Sequence, residues 1–326
     1  MNFTQDPTLP LSDKLMTHVA TLVGAAGAGT VTPEILAAAA RRLPGAGQPI
    51  LLAPGEAADI PFAPGAAHGN RAEAGFADAG YCKAAVSVLH VGLGDPPLDI
   101  FVQPLAGRRK KLLLADMDST MIGQECIDEL ADFVGLKSRV AAITERAMRG
   151  EIEFEPALRE RVALLAGLDA GVVDQAIEER ITLTPGGTAL VRTMRAHGAY
   201  TALVSGGFTL FTSRVGAQIG FDENRANELL VEDGRLVGAV REPILGKAAK
   251  LATLRDLAER LEISLEETLA IGDGANDLAM LEAAGLGVAY RAKPAVAAAA
   301  QGRVEHSDLS ALLYAQGFRG DEFVTE

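Results

Sequence analysis

The chain has 326 residues and carries 30 Lys+Arg against 43 Asp+Glu, a formal net charge of −13. The length accommodates two domains with full cores. The acidic balance argues against binding nucleic acid or an anionic membrane through bulk charge, so any phosphate must be met by local cations. Its two cysteines, Cys82 and Cys126, form no C-x-x-C, so neither a disulfide framework nor a thiolate zinc site is indicated. Residues 1–16 lack the pattern of a signal peptide, and no apolar run approaches the roughly 20 residues of a membrane span. A cytoplasmic location is expected.

Residues 1–105 read as a separate small α+β unit. His18 to Val23 is a strand, Thr32-Pro33-Glu34 caps a helix to about Arg42, and Pro49 to Ala53 is a second strand. After a Gly/Ala/Pro-rich middle, Ala84 to Val91 and Leu98 to Val102 read as a closing pair of strands. No chemical constellation lies here, and Gln103 to Arg109 serves as a linker.

From Lys111 the pattern alternates strand and helix, which predicts a parallel sheet with right-handed crossovers over 106–326. Leu112 to Ala115 is an unbroken apolar run, the mark of a strand covered on both faces, and Asp116, Asp118, Ser119 and Thr120 follow it. Four helical segments come next (Glu125–Val134, Ser138–Glu145, Phe154–Leu165 and Ala170–Arg180), an inserted bundle at about 124–184. A second buried strand, Tyr200 to Val204, ends in Ser205-Gly206-Gly207-Phe208. Leu229 to Val240 is a hairpin turning at Asp233-Gly234, and a helix runs from Lys247 to Leu261. A third buried strand, Thr268 to Ile271, ends in Gly272-Asp-Gly-Ala-Asn-Asp277, and Gly287 to Tyr290 adds another.

Ligands of open α/β sheets bind beyond the carboxyl ends of the strands. Asp116, Asp118, Asp273 and Asp277 fall at such ends, where clustered carboxylates raise one another's pKa and a hard divalent cation relieves them. A lysine at the start of a helix (Lys247 or Lys250) and a hydroxyl suit a phosphoryl group. The set fits phosphoryl transfer with aspartate as nucleophile. Taken singly, each feature also has an ordinary structural reading. D-x-D is a polar turn, Glu125 an acid favoured by a helix start, Arg161 a surface ion-pair residue like Arg159 and Glu160, and Cys126 a small buried apolar residue. Phe154 and Met148 fit a bundle core or a pocket wall equally well.

Taken together, D-x-D-S-T at 116–120, S-G-G-F at 205–208 and G-D-G-x-N-D at 272–277 resemble the haloacid dehalogenase superfamily across most of residues 110–315. Glu125 and Phe154-x-x-x-Leu158-Arg159-Glu160-Arg161-Val162 are similar to its phosphoserine-hydrolysing branch. The resemblance implies a Rossmann-like parallel core with a helical cap. It implies Mg²⁺-dependent hydrolysis of O-phospho-L-serine through an aspartyl-phosphate, the last step of serine biosynthesis. Asp116 would be the nucleophile and Asp118 the general acid and base. Asp116, the Asp118 carbonyl and Asp273 would ligate Mg²⁺, with Asp277 supporting them and orienting Lys250. Ser205, Gly206, Lys250 and Asn276 would hold the phosphoryl group, and Glu125 and Arg161 the substrate's ammonium and carboxylate. Family spacing selects Lys250 over Lys247. The first hundred residues fall outside the match, where some bacterial members carry an ACT-like regulatory domain. Another small phosphorylated metabolite remains the alternative substrate, since the core motifs specify only phosphoryl transfer. The oligomeric state is left open, a homodimer included.

Overall fold

The computed structural model describes residues 16–64, 75–148 and 151–325, with side chains at 75–79 and 147–148 left aside; the Met148 side chain thus lies outside the described residues. Two compact units make up the chain. Among the described residues no helix is long and apolar enough to cross a membrane.

The first unit takes the described residues up to Arg109 together with Glu305–Ser307 and Tyr314–Glu322. Its elements are β1 (His18–Gly24), α1 (Pro33–Ala40), β2 (Ile50–Ala53), β3 (Ala57–Phe62), α2 (Gly75–Leu93) and β4 (Leu98–Pro104). The strands form an antiparallel sheet in the order β2-β3-β1-β4, the βαββαβ arrangement of split βαβ folds. Thr32 caps α1 by accepting the Ile35 N–H, with Pro33 in the first turn. Arg108 forks onto Asp59 (2.7 and 3.0 Å), which also accepts the Thr21 hydroxyl. Asp99 accepts the N–H groups of Glu305 and Ser307 at 2.8 and 2.9 Å, which ties the late segment into this unit.

Here the sequence reading needs one correction. Ala84 to Val91 is not a strand but part of α2. Val86 and Val88 mimic a two-residue alternation, yet the positions that meet the core are Cys82, Val86, Leu89 and Leu93, a helical spacing, while Val88 and Val91 are exposed. Strand β3, with Pro61 in its run, has no counterpart in that reading.

The second unit is built on an all-parallel sheet of six strands in the order β12-β11-β10-β5-β6-β7. Chain order gives β5 (Leu112–Ala115), α3 (Cys126–Phe133), α4 (Lys137–Met148), α5 (Phe154–Ala163), α6 (Val172–Arg180), α7 (Gly187–Ala196), β6 (Tyr200–Phe208), α8 (Thr209–Ile219) and β7 (Glu223–Asn227). There follow β8 (Leu229–Glu232), β9 (Arg235–Val240), α9 (Lys247–Arg260), β10 (Thr268–Gly272), α10 (Leu278–Ala283), β11 (Leu286–Tyr290), α11 (Pro294–Ala299) and β12 (Gly302–Val304). Leu112 to Ala115 are wholly buried, as a strand with neighbours on both edges and layers on both faces requires. Strands β7 and β12 escape the sequence reading because they are short and lack an apolar run.

Helices α3 to α6 form the inserted cap around Leu130, Val140, Ile143, Leu158, Val162 and Val173, all buried. The chain leaves and re-enters the core side by side. Gly123 N–H donates to Thr182 O (3.0 Å) and Thr184 N–H to Met121 O (3.0 Å), and the Gln124 carboxamide both donates to Thr182 Oγ1 and accepts its N–H, each at 2.9 Å. The β8–β9 hairpin joins the cap from far along the sequence: Gly167 N–H donates to Leu236 O and Leu236 N–H to Leu168 O, each at 2.8 Å.

Candidate active site

Strand order decides which side chains meet. Strands β10, β5 and β6 are neighbours, so the ends that carry Asp273, Asp116 and Ser205 lie side by side at the carboxyl edge of the sheet.

Asp116 is the first residue beyond β5 and is 5% exposed. Its Oδ1 accepts the Met117 N–H at 2.8 Å and meets Lys250 Nζ at 2.7 Å. Past it the backbone makes one wide turn, with Ile122 N–H bonded to Met117 O and Ser119 at φ 55°, which turns Asp118 back toward the strand ends. Asp118 Oδ2 accepts the Ser205 hydroxyl and Oδ1 the Cys126 N–H, each at 2.9 Å. Gly207 N–H in turn donates to Ser205 Oγ at 2.8 Å. A Cβ on Gly207 would stand 2.9 Å from Asp118 Oδ2 and 3.0 Å from Ser205 Oγ, so this close approach requires glycine.

Lys250, on the first turns of α9, is 1% exposed and sits between two carboxylates, with Asp277 Oδ1 at 2.6 Å. Burial works against its ammonium, but Asp116 and Asp277 hold its pKa above the ordinary lysine value. Lys247 is exposed. Asp277 Oδ2 accepts the Gly274 N–H at 3.0 Å, and Asp273 Oδ1 accepts the Thr120 hydroxyl at 3.1 Å. The half-buried Asn276 folds its carboxamide over Gly274. Burial first, then the neighbouring carboxylates, raises the pKa of Asp116 and of Asp273; the Lys250 ammonium opposes this at both.

A carboxylate oxygen from each of Asp116, Asp273 and Asp277 falls within 4.8 Å of the others. Three hard oxygen donors this close together form a set that a small divalent cation fits. Both Asp277 oxygens already accept hydrogen bonds, from Lys250 and Gly274.

The cap contributes the remaining groups. Glu125 stands at the start of α3 and accepts the Ser119 hydroxyl at 2.7 Å. The residue as a whole is exposed. Lost hydration, then the Asp118 charge, pushes its pKa up to about 7. Arg161, on α5, donates from Nε to Ala157 O and from Nη1 to Thr144 Oγ1, each at 3.2 Å. Burial lowers its pKa while Asp128, Glu125 and Asp118 act to raise it. Phe154 opens α5, and its ring lies against both Gly206 and Gly246: a Cβ at those positions would be 3.4 and 3.5 Å from it. Cys126 is buried, and burial and the Asp118 charge push its thiol pKa up. Arg159 pairs with Glu155 and Glu242 on the exposed face, and Glu160 with Arg146.

The sequence reading assigns no role to Thr120, Thr144 or Asn227, which bear on Asp273, Arg161 and Gly206. Thr120 adjoins a motif and so carries a signal. Thr144 and Asn227 lie in stretches whose composition distinguishes neither from ordinary polar residues.

Residues 113–282 match the haloacid dehalogenase-like hydrolase family. The chain belongs to that family. Among curated haloacid dehalogenase relatives, a phosphoserine phosphatase of Streptomyces coelicolor is 46% identical over 215 residues, 66% of this chain and 52% of that protein. A phosphoserine phosphatase of Albidiferax ferrireducens is 46% identical over 218 residues, 65% of this chain and 92% of that protein. The chain spans about half to two-thirds of the length of the first such relatives. Among solved structures, a HAD family hydrolase of Salmonella enterica subsp. enterica serovar Typhi superposes with a TM-score of 0.76 at 28% identity, covering 92% of this chain and 98% of that one.

Proposed function

We propose that the chain hydrolyses O-phospho-L-serine to L-serine and phosphate. The observation that carries this reading is the junction of two charge sets. At the strand ends Asp116 pairs with Lys250 and Asp118 with Ser205, while Glu125 and Arg161, of opposite sign, come from the cap. The relatives named phosphoserine phosphatase support it.

Lys250 and the Met117 N–H both engage Asp116 Oδ1, so Oδ2 is the oxygen presented to phosphorus. Attack forms the Asp116–phosphorus bond and breaks the bond to the serine oxygen, which takes its proton from Asp118. Asp118 then accepts a proton from water as that water's oxygen attacks the aspartyl-phosphate, which releases phosphate and restores Asp116. Lys250, Ser205 and the Gly206 backbone hold the phosphoryl oxygens, with Asn276 beside them. Arg161 takes the carboxylate and Glu125 the ammonium, which a closing cap strips of water and which therefore each need a partner. Asp116, Asp273 and the Asp118 carbonyl would hold Mg²⁺, with Asp277 fixing Lys250 beside them. When bound, the ion offsets the negative charge of carboxylates and phosphoryl oxygens. The reaction suits the last step of serine biosynthesis in the cytoplasm, with the first unit as a regulatory module.

Acid quenching during turnover of ³²P-labelled phosphoserine tests the covalent route. An acid-stable, base-labile phosphoprotein should form in the native chain and be absent in Asp116→Asn. Sustained turnover by that variant would refute the mechanism.

A further inference from the structure

Between Val204 and Phe208, strand β6 advances four residues while its partner β7 advances two, from Arg225 to Asn227. The two extra residues push Ser205-Gly206-Gly207 out of the ladder as a bulge, which strips their peptide groups of strand partners. The peptide between Gly206 and Gly207 is nevertheless held at both ends. Its N–H donates to Ser205 Oγ, and its carbonyl accepts from Asn227 Nδ2 at 2.9 Å.

Asn227 is 2% exposed. The same amide donates to Leu245 O at 3.2 Å, and its Oδ1 accepts the Leu245 N–H at 2.6 Å. One buried side chain thus fixes the bulge to the segment that leads through Gly246 into α9 and Lys250. The cap residue Phe154 rests on Gly206 and on Gly246, the residue that follows Leu245.

We infer that Asn227 is a positioning residue for phosphoryl binding: it sets the Gly206–Gly207 peptide and the Leu245–Gly246 segment at the separation that lets Ser205, the bulge backbone and Lys250 face one phosphate. A continuous chain runs from Asn227 through the peptide and Ser205 to Asp118, and hydrogen bonds in such a chain polarise one another. The role lies in the phosphate half of the site, which every phosphate ester must occupy. It rests on the proposed phosphatase activity.

The test is N227D, isosteric but without the two N–H donors, with N227S as a second variant that introduces no charge. Both are assayed well below their melting temperatures, which circular dichroism fixes. Expected are a loss of about tenfold or more in kcat/KM for both phosphoserine and an aryl phosphate, the scale of an unsatisfied buried carbonyl, and a matching weakening of inorganic phosphate by titration calorimetry. In a cycle with S205A the losses should be less than additive, because both act through one peptide. A merely structural role would lower the melting temperature and leave phosphate affinity and the cycle unaffected. Folded variants that bind inorganic phosphate within twofold of the native chain overturn the inference. If the native chain hydrolyses neither ester, the proposed activity fails, and the phosphate titration still decides the role of Asn227.

Discussion

The Ser205 hydroxyl donates to Asp118 Oδ2 across 2.9 Å, which places a residue of the proposed phosphate-binding bulge where it orients the proposed general acid. The two roles separate by leaving group. An alkoxide must be protonated as it departs, whereas a nitrophenolate leaves without help. Ser205→Ala should therefore cut kcat for phosphoserine by about 10²-fold, within the range of general acid catalysis, and kcat for 4-nitrophenyl phosphate several-fold less. Equal losses in steady-state assays would show that Ser205 serves the phosphate alone.

Lys250 holds two buried carboxylates together. Lys250→Met leaves Asp116 and Asp277 facing each other without a counter-charge, and should lower stability by about 3–5 kcal/mol in denaturant titrations in chelator. Mg²⁺ should restore part of that by binding the folded state, without restoring turnover. A loss below about 1 kcal/mol would mean that the pair is not stabilised as the distances imply.

The proposed Mg²⁺ ligands, the carboxylates of Asp116 and Asp273 and the Asp118 carbonyl, are all hard oxygens. Chelation should silence the enzyme reversibly, Mg²⁺ rather than Zn²⁺ should restore it, and Asp273→Asn should raise the Mg²⁺ concentration needed for half-maximal rate. Full activity in excess chelator would contradict the metal assignment.

Glu125 provides a pH signature. Its carboxyl is raised from 4.5 to about 7, so between those values the unfolded chain gives up the proton first, and stability from this group is lost as pH rises through that window. An ammonium substrate demands the ionised form. The profile of kcat/KM for phosphoserine should therefore rise through about pH 7, a step absent in Glu125→Gln and absent for an aryl phosphate. A step that survives the substitution would assign it to another group.

Much of this arrangement is legible in the sequence, because the apolar run Leu112 to Ala115 and its counterparts at 200–204 and 268–271 reveal strands whose ends carry the carboxylates. What is not legible depends on sheet order and long-range packing. Valines at 86 and 88 imitate a strand inside α2. The β8–β9 hairpin is evident from Asp233-Gly234, but its seat on the cap comes from bonds to Gly167 and Leu168. The passage of Tyr314–Glu322 into the first unit rests on buried contacts such as Gln103 Nε2 to Ala315 O at 2.6 Å, which no local pattern encodes. The notched β6–β7 ladder that gives Asn227 its place arises only from pairing.

In the proposed function the cap reads phosphoserine while the strand ends perform the chemistry, and the decisive measurement compares two substrates in two variants. Arg161→Lys, which cannot fork onto a carboxylate, and Glu125→Gln should each lower kcat/KM for phosphoserine by roughly 2–4 kcal/mol of transition-state binding and leave an aryl phosphate nearly unchanged in the presence of Mg²⁺. Equal losses on both substrates would make the two residues structural, and no loss on either would mean that the substrate is not phosphoserine.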